Sequence, residues 1–154
     1  MLGSPPADLV SVSCTSKFFC VAVDNAGGAF TYTGTWGTTA TDVTGASVLY
    51  SVSCVSKKFC VTTDDGSASV YNGTGWSSAT DFDATTALVS VSCPLATGCV
   101  ALDKDGGSFV YNGSAWSSSA PLSDGTNVPV ALSCRPLLCV AVDDHGHAIM
   151  GFST

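Results

Sequence analysis

The sequence predicts an all-β fold, a β-propeller built from four repeats of about 40 residues. Three observations predict it. A cysteine pair recurs four times: Ser-Val-Ser-Cys14 with Cys20-Val-Ala-Val-Asp24, Ser-Val-Ser-Cys54 with Cys60-Val-Thr-Thr-Asp64, Ser-Val-Ser-Cys93 with Cys99-Val-Ala-Leu-Asp103, and Ala-Leu-Ser-Cys134 with Cys139-Val-Ala-Val-Asp143. The first cysteines lie 40, 39 and 41 residues apart, and all eight cysteines of the chain fall in these pairs. Within each unit, apolar and polar residues alternate with the period of a strand, and turn signals cut the unit into short segments.

The second repeat shows the grammar of one unit. Tyr50, Val52 and Cys54 alternate with Ser51 and Ser53, which predicts the first strand. Val55 to Lys58 turns the chain, and Phe59 to Thr63 is the second strand. Asp64-Asp65-Gly66-Ser67 is a turn, because Asp bonds to its own backbone and Gly accepts positive φ. Ala68 to Tyr71 is the third strand, Asn72-Gly73 a hairpin signal, and Trp76 opens a fourth strand running to about Phe82. The loop Asp83 to Thr86 returns the chain to the next unit. The other repeats match: Asp24-Asn25-Ala26-Gly27, Asp103-Lys104-Asp105-Gly106 and Asp143-Asp144-His145-Gly146 stand at the second turn. No segment shows a helical period with caps, so almost no helix is expected.

The repeats divide the chain at approximately 10–48, 49–87, 88–127 and 128–154, the last together with 1–9, as a single domain. A β-trefoil also uses four strands per repeat of this length, but it needs three repeats and this chain has four cysteine units. A stacked solenoid or an open array is the remaining competitor. The fourth repeat ends at Gly151-Phe152-Ser153-Thr154, before any Trp-led strand. An unpaired blade edge invites association. The missing strand therefore comes from the N-terminal segment Gly3 to Leu9, closing a four-bladed ring, or from another copy of the chain. Pro5-Pro6 is poor strand material away from an edge. Two copies would build an eight-bladed ring, and an open series a fibre.

Three cysteine pairs enclose five residues and the fourth encloses four. Paired zinc cysteines usually enclose two to four and need two further ligands, which no repeat supplies at suitable spacing. Each pair brackets the turn between two strands, where the two Cβ atoms can meet disulfide distance. The expected bridges are Cys14–Cys20, Cys54–Cys60, Cys93–Cys99 and Cys134–Cys139. Reduced structural cysteines or a metal site are the alternatives. Disulfides place the chain in an oxidising compartment, secreted or at the cell surface.

Composition narrows the function. Only 11% of the 154 residues are charged, against about 25% in ordinary usage. The net charge of −7, with five Lys and Arg in all, argues against nucleic acid and anionic membrane as partners. No apolar run approaches the ~20 residues of a membrane span. Met1-Leu2-Gly3-Ser4 carries no basic, apolar leader, so secretion would need a leader removed earlier or lying elsewhere in a longer chain.

The string Ser-Val-Ser-Cys, Cys-Val-Ala-Val-Asp, Gly, Tyr-Asn-Gly, Trp resembles Cys-paired repeats of secreted, largely uncharacterised bacterial proteins of actinobacterial type. That resemblance covers nearly the whole chain and implies a β-propeller. Tyr71-Asn72-Gly73-Thr74-Gly75-Trp76 also resembles a degenerate Asp-box, the third-to-fourth strand turn of sialidase-like propellers. Asn72 and Asn112 stand where the box has aspartate, and the first repeat has Thr33.

Catalysis is not expected. A sialidase-like site needs an arginine cluster and a Tyr/Glu pair, and the chain has one arginine, Arg135, and no glutamate. A Ser-His-Asp triad would have to use His145 or His147, and no Gly-x-Ser-x-Gly elbow is present. The same His145-x-His147 pair is a candidate weak metal site, though turn histidines account for it. The Asp-rich turns carry no EF-hand or nonapeptide calcium pattern. No cofactor and no metal are expected. The aromatics Tyr32, Tyr71 and Tyr111, with Trp36, Trp76 and Trp116, recur once per complete repeat. Their flat faces suit stacking on sugars, and repeated weak sites gain avidity on multivalent glycans. Packing between blades is the competing use for them. With Asn72 and Asn112 they form the candidate ligand-binding set. The expected function is a non-enzymatic extracellular binding module, lectin-like and binding multivalent carbohydrate. The alternative is a self-assembling surface or fibre subunit or a protein-interaction scaffold. A homo-oligomer is expected in either case.

Overall fold

The computed structural model describes residues 7–43, 45–81, 86–122 and 128–151. It is an all-β propeller of four antiparallel sheets, with no helix among the described residues. Blade one is β1 (Leu9–Ser16), β2 (Phe19–Asp24), β3 (Gly28–Tyr32) and β4 (Thr41–Asp42). Blade two is β5 (Ser51–Ser56), β6 (Phe59–Thr63), β7 (Ser67–Tyr71) and β8 (Thr80–Asp81). Blade three is β9 (Leu88–Leu95), β10 (Gly98–Asp103), β11 (Gly107–Tyr111) and β12 (Ala120–Pro121). Blade four has β13 (Pro129–Arg135), β14 (Leu138–Asp143) and β15 (Ala148–Gly151), with no fourth strand among the described residues.

The cysteines sit opposite each other across the first hairpin of every blade, as in Cys14↔Cys20 and Cys134↔Cys139, and all four expected disulfides are formed. In blades one and two a one-residue bulge follows the first cysteine. In blade four the shorter spacing closes the hairpin directly, with Arg135 opposite Leu138. The tight turn Pro136-Leu137 puts Leu137 at a φ of 70°, a left-handed backbone that costs a leucine energy.

The fourth strand is shorter than the expected run from Trp76 to Phe82. Trp76 makes an isolated bridge to Tyr71, and regular pairing resumes only at Thr80–Asp81. The reason lies at Ser77. Its Oγ accepts the hydrogen bond of the Val70 N–H at 3.0 Å while its own N–H donates to the Val70 carbonyl at 2.8 Å, so a side chain fills one ladder position and regular pairing is interrupted there. Ser117 does the same for Val110. Phe82 and Asp83 lie outside the described residues. Of the segment Gly3 to Leu9, Leu9 opens β1 and Asp8 exchanges bonds with Asn25 of its own blade; residues 3–6 lie outside the described residues.

The core lies between blades, in three clusters. Phe19, Val21, Val23 and Ala29 of blade one meet Leu49, Val52 and Cys60 of blade two. Val61 and Ala68 of blade two meet Val91, Cys93, Cys99 and Ala101 of blade three. Val100 and Leu102 of blade three meet Cys139 and Ala141 of blade four. Alternation along the second strand explains this: odd and even residues face opposite neighbours, so the middle of a strand buried on both sides is apolar, with Thr62 and Thr63 of β6 the buried exceptions. Hydrogen bonds join the same faces. Ser11 and Ser13 hydroxyls accept from the Val52 and Cys54 N–H groups, Ser51 and Ser53 from Val91 and Cys93, and Ser90 and Ser92 from Leu132 and Cys134. The recurrent Ser-x-Ser is therefore the joint between blades.

Candidate functional site

The candidate aromatics form three tilted pairs, Tyr32–Trp36, Tyr71–Trp76 and Tyr111–Trp116, each with ring centroids 5.3 Å apart. They are half-buried. Tyr71 and Trp76 pack on the cluster between blades one and two, and Tyr111 and Trp116 on the cluster between blades two and three. Tyr32 and Trp36 occupy the same positions in blade one, on its face away from blade two. Trp36 instead lines an open groove of about 610 Å³ with Leu9, Val10, Ser11, Val12 and Ala22.

Asn72 and Asn112 hold their own turns. Asn72 Oδ1 accepts from the Thr74 N–H, the Thr74 hydroxyl and the Gly75 N–H at 2.7–3.1 Å. Asn112 does the same with Ser114 and Ala115. Both side chains are exposed, and their carbonyl oxygens are taken up by their own turns.

The turn aspartates are structural. Asp24 Oδ1 accepts from the Ala26 and Gly28 N–H groups at 2.9 and 2.7 Å, and Asp103 from Asp105 and Gly107 at the same distances. Both carboxylates are buried. Gly27 in this turn has a φ of 83°, and a Cβ there would stand 2.5 Å from the Ala46 carbonyl oxygen, so only glycine fits. At Asp143, burial pushes the carboxyl up, but the backbone N–H of His147, its imidazole and the backbone N–H of His145 outweigh it and hold the group at about 2.

The two histidines do not converge. His145 Nδ1 lies 2.6 Å from Asp144 Oδ1, and His147 Nδ1 lies 2.8 Å from Asp143 Oδ2. Each ring is turned to its own aspartate, and no group of three or more His, Cys, Asp or Glu that could hold a metal ion occurs among the described residues.

Charge is sorted by the topology. Every turn between second and third strands opens with an aspartate, and Asp42 and Asp81 pair opposite Gly28 and Ser67 at the same end of the blades. Asp8 joins them through Asn25. All the described aspartates thus gather at one end, with Lys104 the one Lys or Arg there. The turns between first and second strands lie at the opposite end. They carry Lys17, Lys57, Lys58 and Arg135, all exposed, and no acidic residue. Phe18, Leu95 and Leu137 stand exposed on the same tips, with Phe18 65% and Leu137 70% accessible. Lys17 Nζ lies 4.8 Å over the Phe18 ring. Ser16 and Ser56 hydroxyls accept from the Phe18 and Lys58 N–H groups and fix the tips. Between the first two tips lies a cleft of about 570 Å³, lined by Thr15, Phe18, Phe19, Thr33, Val55 and Lys57 among others. Sequence reasoning missed this end, because the four cations are scattered along the chain. The usable signal was that each lies between the two cysteines of its pair.

No family model matches the chain, and no curated protein matches it in sequence. Solved structures match its fold. The computationally designed Ika4 protein superposes with a TM-score of 0.72 at 18% identity, over 99% of this chain and 95% of that one. RRP9 WD40 repeats give 0.76 at 8% identity, over 97% of this chain and 52% of that one. YCF48 from Cyanidioschyzon merolae gives 0.73 at 14% identity, over 94% and 50%. A structure of YCF48 bound to D1 peptide gives 0.69 at 15%. At these identities the likeness shows the β-propeller fold. The chain spans about half the length of YCF48 and RRP9, and nearly all of Ika4.

Proposed function

We propose that the chain is a non-catalytic extracellular interaction module that receives an acidic segment of a partner protein on its basic, apolar end. The segregation of charge carries this reading: all four cations of the first-hairpin tips stand on one end with exposed Phe18, Leu95 and Leu137, and the described carboxylates stand on the other. Apolar anchors rimmed by cations are a fit for a peptide that combines acidic and aromatic residues. The cleft between the tips of blades one and two gives such a segment a place to lie. The four disulfides favour secretion, since such bonds persist in oxidising compartments. A peptide-bound neighbour, YCF48 with D1 peptide, offers a precedent for this use of the fold.

Carbohydrate binding is the second reading. It is favoured by one observation, the Tyr–Trp pair repeated with the same 5.3 Å spacing in three blades. Against it, two of the three pairs are half-buried against neighbouring blades. Paired arrays separate the readings. Binding to acidic-aromatic peptides, lost in Lys57→Glu/Lys58→Glu and kept in Trp36→Ala, supports the scaffold. Binding to glycans, lost in a folded Trp36→Ala or Trp76→Ala variant, supports the lectin and overturns the first reading.

A further inference from the structure

Blades one and four each present a face that every other blade buries. Val52 and Val91 are both 5% accessible in the joints they make with the preceding blade; Val12, at the same position of blade one, is 60% accessible. Leu49 and Leu88 are sealed, while Leu9 is 51% accessible. On the other side, Val23 and Leu102 are 0% accessible and the equivalent Val142 of blade four is 41%; Met150, opposite Val140, is 74%. The two faces are the two halves of the joint that the chain makes three times internally. The blade-one half is Leu9, Val12 and Trp36, with the buried Ala22 beneath them, and the blade-four half is Leu138, Val140, Val142, Ala148 and Met150. None of these residues is charged.

The backbone repeats the same complementarity. Ser133 occupies the place of Ser13, Ser53 and Ser92, whose hydroxyls accept from the next blade's cysteine N–H. Asp143 occupies the place of Asp24 and Asp64, whose carbonyls accept from the Leu49 and Leu88 N–H groups at 3.3 and 3.0 Å. Blade four departs at one point: Ala131 stands where Ser11, Ser51 and Ser90 supply the other hydroxyl.

We propose that a second copy of this chain docks head to tail on these faces, blade four of one against blade one of the other, and that two such seams close a ring of eight blades. The four blades superpose on 52% of the RRP9 WD40 chain, so one copy supplies about the share of a larger propeller that would leave room for a second. Each seam carries Leu9 N–H to the Asp143 carbonyl and Cys14 N–H to the Ser133 hydroxyl, and lacks the bond from Val12 N–H because Ala131 has no hydroxyl. This inference is independent of the acidic-partner reading; an eight-bladed pair that binds no acidic peptide would overturn that reading alone.

Sedimentation equilibrium and native mass measurement of the full chain test it. The expected mass is about twice 15.5 kDa, with no larger species. Val12→Asp and Val142→Asp, both at exposed positions, should each dissociate the pair while near-ultraviolet circular dichroism stays native. Mixing the two variants should restore a pair through its one intact seam. Ala131→Ser adds a hydroxyl to each seam and should tighten the pair roughly tenfold. A single-chain mass at every concentration, a mass that grows stepwise without limit, or a Val142→Asp variant as dimeric as the parent would overturn the proposal.

Discussion

The Ser13 hydroxyl accepts the Cys54 N–H at 2.9 Å, across the boundary between two blades. The same bond, Ser53 to Cys93 at 3.0 Å and Ser92 to Cys134 at 2.9 Å, recurs at each boundary. A side chain thus satisfies an inner-strand donor that faces away from its own sheet's ladder. Ser53→Ala should therefore leave a partly buried N–H unpaired and lower stability by about 1–2 kcal/mol, read as a shifted urea midpoint. An unchanged midpoint would mean that water replaces the hydroxyl without cost.

The Asp103 carboxylate is the buried anchor of its turn, with two N–H groups at 2.9 and 2.7 Å. Asp103→Ala removes the acceptor and strands both donors. Unfolding free energy should fall by about 2–3 kcal/mol. Asp105→Ala, an exposed neighbour in the same turn, should stay within about 0.5 kcal/mol of the parent.

Leu137 carries a left-handed φ of 70° after Pro136, in the hairpin that is one residue shorter than its counterparts. Glycine removes the Cβ clash at that position. Leu137→Gly should stabilise the chain by about 0.5–1 kcal/mol, although it deletes an apolar side chain, because that side chain is 70% exposed. A thermal scan showing a lower Tm would contradict the turn geometry.

Acid should loosen the last blade in a defined window. The Asp143 carboxyl is held at about 2, below its ordinary 3.8. A depressed carboxyl contributes its stability fully above pH 3.8 and loses it as pH falls through about 2. The stability difference between the parent and Asp143→Asn should be level between about pH 4.5 and pH 5.5 and shrink toward pH 2. A difference that persists unchanged at pH 2 would show that the charge is not what matters.

Much of the fold was legible because each unit repeats its punctuation. The cysteine spacing set the hairpins, Asp-x-x-Gly set the second turn in three blades and Asp-x-Gly in blade two, and the pairing Cys54↔Cys60 follows directly from residues flanking one turn. The fourth strand was overextended because Ser77 reads as an ordinary strand residue, whereas its hydroxyl replaces a backbone partner. The aromatic set was legible as a repeat but not as a use. Only the packing shows that Trp76 faces blade one while Trp36, one residue nearer its own tyrosine, faces an open groove. The basic end needed the topology, since Lys17, Lys57 and Arg135 become neighbours in kind only when the first hairpins point the same way.

The proposed function stands on whether that basic end binds. The direct measurement is the Kd of a fluorescein-labelled peptide of alternating acidic and aromatic residues, at low and at 0.5 M salt, for the parent chain and for Lys57→Glu/Lys58→Glu. The expected result is saturable binding that weakens at high salt, and a loss of at least tenfold in the charge-reversed variant, with the fold intact by circular dichroism. Equal affinity of the two proteins, or binding indifferent to salt, would contradict it.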